Sequence, residues 1–238
     1  MSKSVDAAPA ALDRVLVTSR DFAEYRAMFA LDDTTLDTAR ILDCPGGAGD
    51  FGFRVRERGG RAVSVDPIYA LEPAALTLRV QEELDRGVRR AHAVPHLYDF
   101  SWTGGLAQYV RRRERAAQRF LVDYALDREN YLDAALPDLP FPDGAFDLAL
   151  VPNLLFVYAG LFDPAWHRRA VAELVRVARE VRIHPVTDAD GRPYPHLPAL
   201  RADLAAAGIG TSLVEADYRL HPGTQRTLVC RAAGRWRR

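Results

Sequence analysis

The chain has 238 residues, and its 32 basic and 32 acidic side chains give a formal net charge of +0 at pH 7. This balance provides no general attraction to nucleic acid or to an acidic membrane surface, so neither is expected as a partner. The length favours one large α/β domain with a substantial core, and we assign residues 1–238 to a single domain.

The cysteine content and the lack of long apolar runs narrow the class of protein further. Cys44 and Cys230 are too few and too far apart for a disulfide framework or a zinc site, and no metal is expected. The sequence shows neither a signal-peptide core nor an apolar run of about 18 residues. We therefore expect a soluble, cytoplasmic protein.

The N-terminal part of the chain predicts a short tail followed by helix. Residues 1–12 form a short stretch that is rich in alanine and contains a proline, and they are expected to be disordered. Apolar residues at helical spacing then predict a helix over 21–30, within an N-terminal helical segment of residues 13–39. Its aromatic face needs another element to cover it.

A β-α-β unit follows. A strand ending at Asp43 leads into a glycine-rich turn and a helix that Asp50 is placed to cap. A second strand over 62–65 ends at Asp66, and the spacing fits a right-handed parallel crossover. The sequence therefore predicts a parallel sheet.

The rest of the chain contains a helical insertion and then further strands. Residues 68–130 hold no convincing strand and read as helices that form an insertion or cap, because a plain loop of that length is uncommon. A short turn at 221–223 predicts a terminal antiparallel hairpin. Strands are predicted over 146–151, 181–183, 212–220 and 225–231, and helices over 166–179 and 197–207.

Ligands of open parallel sheets bind beyond the carboxyl ends of the strands, where Asp66 is a candidate ligand. Its carboxylate can accept hydrogen bonds from both hydroxyls of a ribose, each worth about 1.5 to 3 kcal/mol. The segment from Gly47 to Gly52 also matches the G-x-G-x-x-G dinucleotide pattern, a weak signal by itself. Asp43, ahead of the glycines, suits a cationic ligand better than a pyrophosphate.

These residues resemble the class I S-adenosylmethionine-dependent methyltransferases over roughly residues 38–233. The first motif of that family, an acid and a glycine-rich turn, is similar to the segment 42–49, with Pro45 where the first glycine usually stands. The loop and strand over 139–148 are a second, more specific match. The resemblance implies a Rossmann-like, seven-stranded, mostly parallel sheet with an antiparallel last strand, helices on both faces and the insertion between strands 2 and 3.

The resemblance also implies the cofactor S-adenosylmethionine and the residues that contact it. The chain looks most like an uncharacterised bacterial subgroup, which indicates no substrate. The acid that binds adenine in many relatives has no clear counterpart, so backbone groups of Leu136, Pro137 and Asp138 are expected to take its place. The cofactor-binding residues implied are Asp43, Pro45, Gly46, Gly47, Gly49, Asp66, Pro67, Leu136, Pro137, Asn153 and Tyr25.

The activity implied is in-line transfer of a methyl group to a small-molecule acceptor. His184, after the fifth strand, is the candidate general base. Tyr69, Tyr98 and Trp102 of the insertion are expected to line the acceptor pocket or to form a small core of their own. If arginines of the run from Arg111 to Arg119 reach the pocket, an anionic acceptor is expected, either a carboxylate or phosphate compound or RNA, although the zero net charge argues against RNA.

Two other functions stay open at this point. The first is an NAD(P)-dependent oxidoreductase that uses the G-x-G-x-x-G match. The second is a non-catalytic regulatory protein that binds S-adenosylmethionine without turnover. The sequence indicates neither the oligomeric state nor the atom that is methylated.

Overall fold

The computed structural model describes residues 14–232, which form an α/β fold around one mixed sheet. The predicted disorder of residues 1–12 lies outside the described residues. The seven-stranded sheet has the order β3-β2-β1-β4-β5-β7-β6, and β7 is antiparallel to both of its neighbours. The strands are β1 (Arg40–Asp43), β2 (Arg61–Val65), β3 (Tyr131–Leu132), β4 (Phe146–Pro152), β5 (Ala178–His184), β6 (Ile209–Glu215) and β7 (Arg226–Ala232).

Helices cover both faces of this sheet, as predicted. Alternate residues of one strand enter different cores: Leu42 of β1 packs in one apolar cluster and its neighbour Ile41 in the other. None of the helices in the described range is long and apolar enough to cross a membrane. The helices are α1 (Phe22–Phe29), α2 (Asp33–Thr38), α3 (Phe51–Glu57), α4 (Pro73–Ala93), α5 (Leu106–Leu126), α6 (Pro164–Val177) and α7 (Leu197–Ala206).

The insertion between β2 and β3 consists mainly of the long helices α4 and α5. Phe120 and Tyr124 of α5 are buried with Leu76 and Val80 of α4 in a third cluster that also contains Tyr69. The insertion therefore has a small core of its own, one of the two alternatives considered for its aromatic residues. Tyr98 and Trp102 instead pack against the cluster beneath α1 and α3.

Arginines of α5 bind the insertion to the rest of the molecule. Arg112 pairs with Asp21 at 2.5 Å, Arg113 with Glu24 at 2.7 Å, and Arg119 with Asp50 at 3.0 Å. Asp50 is fully buried, accepts the Phe22 N–H and makes no side-chain cap to α3, so the predicted cap was wrong. Much of the arginine run is thus used in packing α5 against α1 and α3.

The predicted terminal hairpin has the right direction but the wrong connection. The structure ends β6 at Glu215 and begins β7 at Arg226, so a segment of residues 216–225 replaces the predicted short turn. Tyr218 and Leu220 are buried alternately, as in a strand, but they pack beneath α1 without a partner strand. The difference brings His221 to the carboxyl edge of the sheet.

Candidate functional site

A cavity of about 350 Å³ lies at the carboxyl edge of the sheet, within the size range of small-molecule sites. We call its two ends the β1/β2 side, lined by Pro45, Gly46, Gly47 and Asp66, and the β4/β5 side, lined by Asn153, Pro185 and His221. Residues 15–20, α4 and α5 close the cavity from above. The predicted site residues that line it are Tyr25, Pro45, Gly46, Gly47, Asp66, Tyr98 and Asn153.

Other predicted site residues lie behind the cavity wall. Tyr69 is 3% exposed and lies under the glycine turn, where its hydroxyl donates to the Gly47 carbonyl at 2.8 Å. Trp102 packs edge-on against Tyr218, 5.2 Å between ring centroids. The predicted residues absent from the lining are Asp43, Gly49, Pro67, Tyr69, Trp102, Leu136, Pro137 and His184.

The glycine turn is held by the protein's own N-terminal segment. The Ala48 and Asp50 N–H groups donate to the carbonyl oxygens of Thr18 and Arg20, each at 3.1 Å. A Cβ on Gly47 or Gly49 would stand 2.8 Å from one of these oxygens, and Gly47 also has a φ of +57°. Gly47 and Gly49 are therefore required for the close approach of residues 18–20. The sequence had suggested a different reason for glycine here, namely access for a ligand.

Asp43 lies directly beneath Tyr25. The Tyr25 hydroxyl donates to Asp43 Oδ1 at 2.9 Å, and Ser64 Oγ donates to Oδ2 at 3.3 Å. Burial raises the pKa of Asp43 to about 7, although these two hydrogen bonds oppose the shift. Tyr25 lines the cavity, whereas Asp43 behind it does not.

Asp66 combines a structural contact with access to the cavity. Its two oxygens accept the N–H groups of Ile68 and Gly47, both at 3.1 Å, so it fixes the glycine turn relative to β2. It is 9% exposed and lines the cavity. Burial raises its pKa to about 6, with the two N–H groups opposing the shift and Asp133 adding to it. A ligand that donates hydrogen bonds here would favour the ionised form.

The two histidines near the β4/β5 side differ in their access to the cavity. His184 is 1% exposed and is not among the lining residues; its Nδ1 faces Thr227 Oγ1 at 2.9 Å and its Nε2 has no partner. His221 lines the cavity, and its Nδ1 donates to the Leu97 carbonyl at 3.1 Å, which leaves Nε2 as the unprotonated nitrogen. Burial lowers the pKa of His221 to about 4. The catalytic role of His184 stays a prediction, without direct access to the cavity.

Asn153 takes the left-handed conformation that asparagine tolerates, with a φ of 50°. Its N–H donates to the His184 carbonyl at 2.6 Å, and its side chain lies 3.6 Å from the sulfur of Met28. The residue thus ties the end of β4 to the end of β5 while it lines the cavity. This position agrees with either a ligand contact or a turn.

Sequence reasoning missed Arg20 and did not single out Arg113 or His221. Arg20 and Arg113 both line the cavity, and each has a buried guanidinium nitrogen without a hydrogen-bond partner, Nε of Arg20 and Nη1 of Arg113. Buried donors are almost always paired, so these two N–H groups are candidates to bind a ligand. The only sequence signal was the arginine run in α5.

The order of the strands, the glycine turn after β1 and the acid after β2 agree with the fold that the sequence resemblance to the class I S-adenosylmethionine-dependent methyltransferases implied. Enzymes of this class use S-adenosylmethionine as the methyl donor. No protein-family model matches the chain. The uncharacterized protein MJ0045 of the archaeon Methanocaldococcus jannaschii is 27% identical over 221 residues, 92% of this chain and 96% of its own length.

Solved structures of methyltransferases are also similar. The 1,6-didemethyltoxoflavin-N1-methyltransferase of Burkholderia thailandensis, with 1,6-didemethyltoxoflavin and S-adenosylhomocysteine bound, is 16% identical with a TM-score of 0.47, covering 89% of this chain and 79% of that chain. The magnesium protoporphyrin IX methyltransferase of Synechocystis PCC 6803, with S-adenosylmethionine bound, is 12% identical with a TM-score of 0.44, covering 89% and 77%. The strand order itself defines the fold class.

Proposed function

We propose that this protein transfers a methyl group from S-adenosylmethionine to a small-molecule acceptor by in-line displacement. The observation that carries the proposal is the position of Asp66, at the end of β2 and on the cavity, beside the glycine turn that follows β1. This is where a parallel sheet presents a carboxylate to a ribose. The cavity continues to the β4/β5 side, where an acceptor has room.

The residues present fit this cofactor. Asp66 would accept the ribose hydroxyls, and the unpartnered Nε of Arg20 supplies a cation for the carboxylate of the amino-acid part. Tyr25 and Asn153 also line the cavity and would contact the same part. We also propose that the backbone of Leu136 and Pro137 binds the adenine. These two residues do not line the cavity, so the adenine would have to reach them from outside it.

The protein's own contribution is mainly to orient the acceptor toward the methyl group and to accept a proton from it where one must be lost. The bound cofactor supplies a methyl group already activated by its sulfonium. Holding the acceptor in line with that group can account for about 7 to 11 kcal/mol of barrier reduction. Where the acceptor must lose a proton, Nε2 of His221 is a neutral acceptor on the cavity; His184 could act only indirectly from behind the wall.

A dinucleotide-dependent oxidoreductase has less support. A pyrophosphate at a glycine-rich turn needs free N–H groups at the start of the following helix. Here the N–H groups of Gly46, Gly47, Ala48 and Asp50 already donate to groups of the protein, and the buried carboxylate of Asp50 stands at the start of α3. The literal G-x-G-x-x-G match thus serves internal packing.

Titration calorimetry with the full chain tests the proposal. We expect S-adenosylhomocysteine and S-adenosylmethionine to bind with micromolar dissociation constants, and NAD and NADP not to bind. Failure of both sulfur compounds to bind would reject the proposal. Tight binding without turnover of any tested acceptor would instead support the non-catalytic, regulatory alternative.

The affinity for S-adenosylhomocysteine is expected to increase with pH across the titration of Asp66. The pKa of Asp66 is about 6 in the free protein, and ribose hydroxyls bind the ionised carboxylate. Affinity should rise by about tenfold from pH 5 to 7 and then level off, since one pKa unit corresponds to a tenfold change. Asp43, with a pKa of about 7, and the nearby Asp133 could contribute to the same pH dependence. Calorimetry of Asp66→Asn separates these contributions, because the rise in affinity near pH 6 should vanish in that variant.

A further inference from the structure

We infer that the methyl acceptor is a small aromatic or heteroaromatic compound with an anionic oxygen group, a carboxylate or a phosphate, which Arg113 binds on the β4/β5 side of the cavity. The inference rests on the proposed function, because it concerns the second ligand of the same cavity. It is carried by the position of one guanidinium and by the rings around it.

Arg113 is a built-in anion-binding group. It is 8% exposed, it lines the cavity, and its Nη2 donates to Glu24 Oε1 at 2.7 Å. Its guanidinium carbon lies 5.0 Å from the centre of the Tyr109 ring. These contacts hold the guanidinium in place while Nη1 has no partner. A pre-organised arginine with an unused N–H donor suits an oxygen atom of a carboxylate or phosphate.

Glu24 accepts hydrogen bonds from several donors but none from Nη1 of Arg113, which remains available to another acceptor. Its Oε1 also accepts the Tyr218 hydroxyl at 3.1 Å, and its Oε2 accepts the Asp21 N–H at 3.2 Å. The other acids on the cavity wall have their own partners. Asp66 and Asp188 accept backbone N–H groups, Glu83 pairs with Arg14 and Arg79, and Asp190 pairs with Arg192. No acid among these competes for the free nitrogen of Arg113.

Arg20, not Arg113, is attached to the glycine turn. The Arg20 carbonyl accepts the Asp50 N–H at 3.1 Å, which places its backbone at the β1/β2 side. Besides burial, the Arg20 and Arg113 guanidiniums both lower the pKa of His221, so both charges act on the β4/β5 side, and the proposed function uses Arg20 for the cofactor carboxylate. Arg113 lies on the β4/β5 side, because Tyr109 beneath it is 5.9 Å from Tyr98, whose ring is 4.7 Å from that of His221.

The rings beside Arg113 indicate a planar ligand. Tyr98, Tyr109 and His221 all line the cavity, and Phe100 stacks behind Tyr98 at 5.0 Å and 4° between planes. Such a wall offers stacking area, and a buried arginine beside it offers a charge-assisted hydrogen bond. The same wall presents Nε2 of His221 as a proton acceptor for a hydroxyl or amine on the ring.

The test uses simple probes on the full chain saturated with S-adenosylhomocysteine. Benzoate and phenyl phosphate distinguish the two anions, benzamide removes the charge, and cyclohexanecarboxylate removes the aromatic ring. By calorimetry we expect at least one of the two aromatic anions to bind tenfold or more tightly than benzamide and more tightly than cyclohexanecarboxylate. Equal affinities for benzoate, phenyl phosphate and benzamide would overturn the inference.

Variants locate the binding group. Arg113→Gln and Arg113→Lys should each weaken binding of the preferred anion by at least tenfold, while the affinity for S-adenosylhomocysteine stays within threefold of the parent. Arg113→Lys keeps a positive charge beside Glu24 and is the variant to use if Arg113→Gln does not fold. Arg112→Gln is the matched control, since Arg112 also pairs with an acid of the α1 region but does not line the cavity. The assignment would be contradicted if folded Arg113→Lys bound the anion as tightly as the parent, or if it lost affinity for S-adenosylhomocysteine and not for the anion.

The unmodified protein separates the two failures. Binding of S-adenosylhomocysteine without preference for the anions rejects only the inference about the acceptor. If S-adenosylhomocysteine does not bind, the proposed function is rejected and the inference falls with it.

Discussion

Replacement of Asp66 by asparagine is expected to weaken S-adenosylhomocysteine binding by about tenfold to 100-fold. A charge-assisted hydrogen bond is worth about 1.5 to 3 kcal/mol, and about 1.4 kcal/mol corresponds to a tenfold change in affinity. Asp66 is the carboxylate on the β1/β2 side of the cavity, beside Gly46 and Gly47. Titration calorimetry at pH 7.5 measures the change.

Asp66 also holds the glycine turn, so the ligand contact must be separated from a structural effect. The parent protein should discriminate against the 2′-deoxy analogue of S-adenosylhomocysteine, and Asp66→Asn should lose most of that discrimination. Asp190→Asn is the control, because Asp190 lines the cavity on the loop after β5 and should leave affinity within twofold. Equal discrimination in parent and Asp66→Asn would show that Asp66 does not contact the ribose.

Replacement of Glu24 by alanine is expected to destabilise the fold by about 3 to 5 kcal/mol, the usual cost of leaving one partner of a buried ion pair uncompensated. Glu24 is 2% exposed and accepts hydrogen bonds from Arg113 and Tyr218. Without it, the guanidinium of Arg113 remains buried without a counter-charge. The unfolding midpoint should fall by roughly 10 °C for a chain of this size, measured by calorimetry and by urea titration.

Glu57→Ala is the comparison for this experiment. Glu57 pairs with Arg54 at 2.6 Å near the end of α3, and its side chain is 48% exposed. An exposed pair of this kind contributes at most about 1 kcal/mol. If Glu24→Ala were as mild as Glu57→Ala, the ion pair with Arg113 would not join α1 and α5 in solution.

The β-α-β unit and the strand before the terminal hairpin could be predicted because their signals are local. Ile41 and Leu42 enter opposite cores, and the glycines that follow lie within a few residues of them. The position of Asp66 at the end of β2 follows from the same short segment. The fold class and the position of Asp66 thus depend on residues that are close together in the sequence.

The terminal connection shows where local pattern misleads. Alternate burial of Ala216, Tyr218 and Leu220 has the period of a strand, and the prediction extended the strand to residue 220. The burial comes instead from packing beneath α1 and against Trp102, and the Leu220 carbonyl accepts the N–H of Asp99 from the insertion. A period of two does not reveal which element covers the side chain.

The sequence by itself determined the parallel sheet, the glycine turn and Asp66, because each depends on residues close together in the chain. Only the tertiary structure decided that Tyr25 covers Asp43, that His221 and not His184 lines the cavity, and that Arg20 and Arg113 line it with unused donors. Arg113 meets Glu24 across 89 positions of sequence. Such contacts arise when α5 packs on α1, and no local spacing encodes that packing.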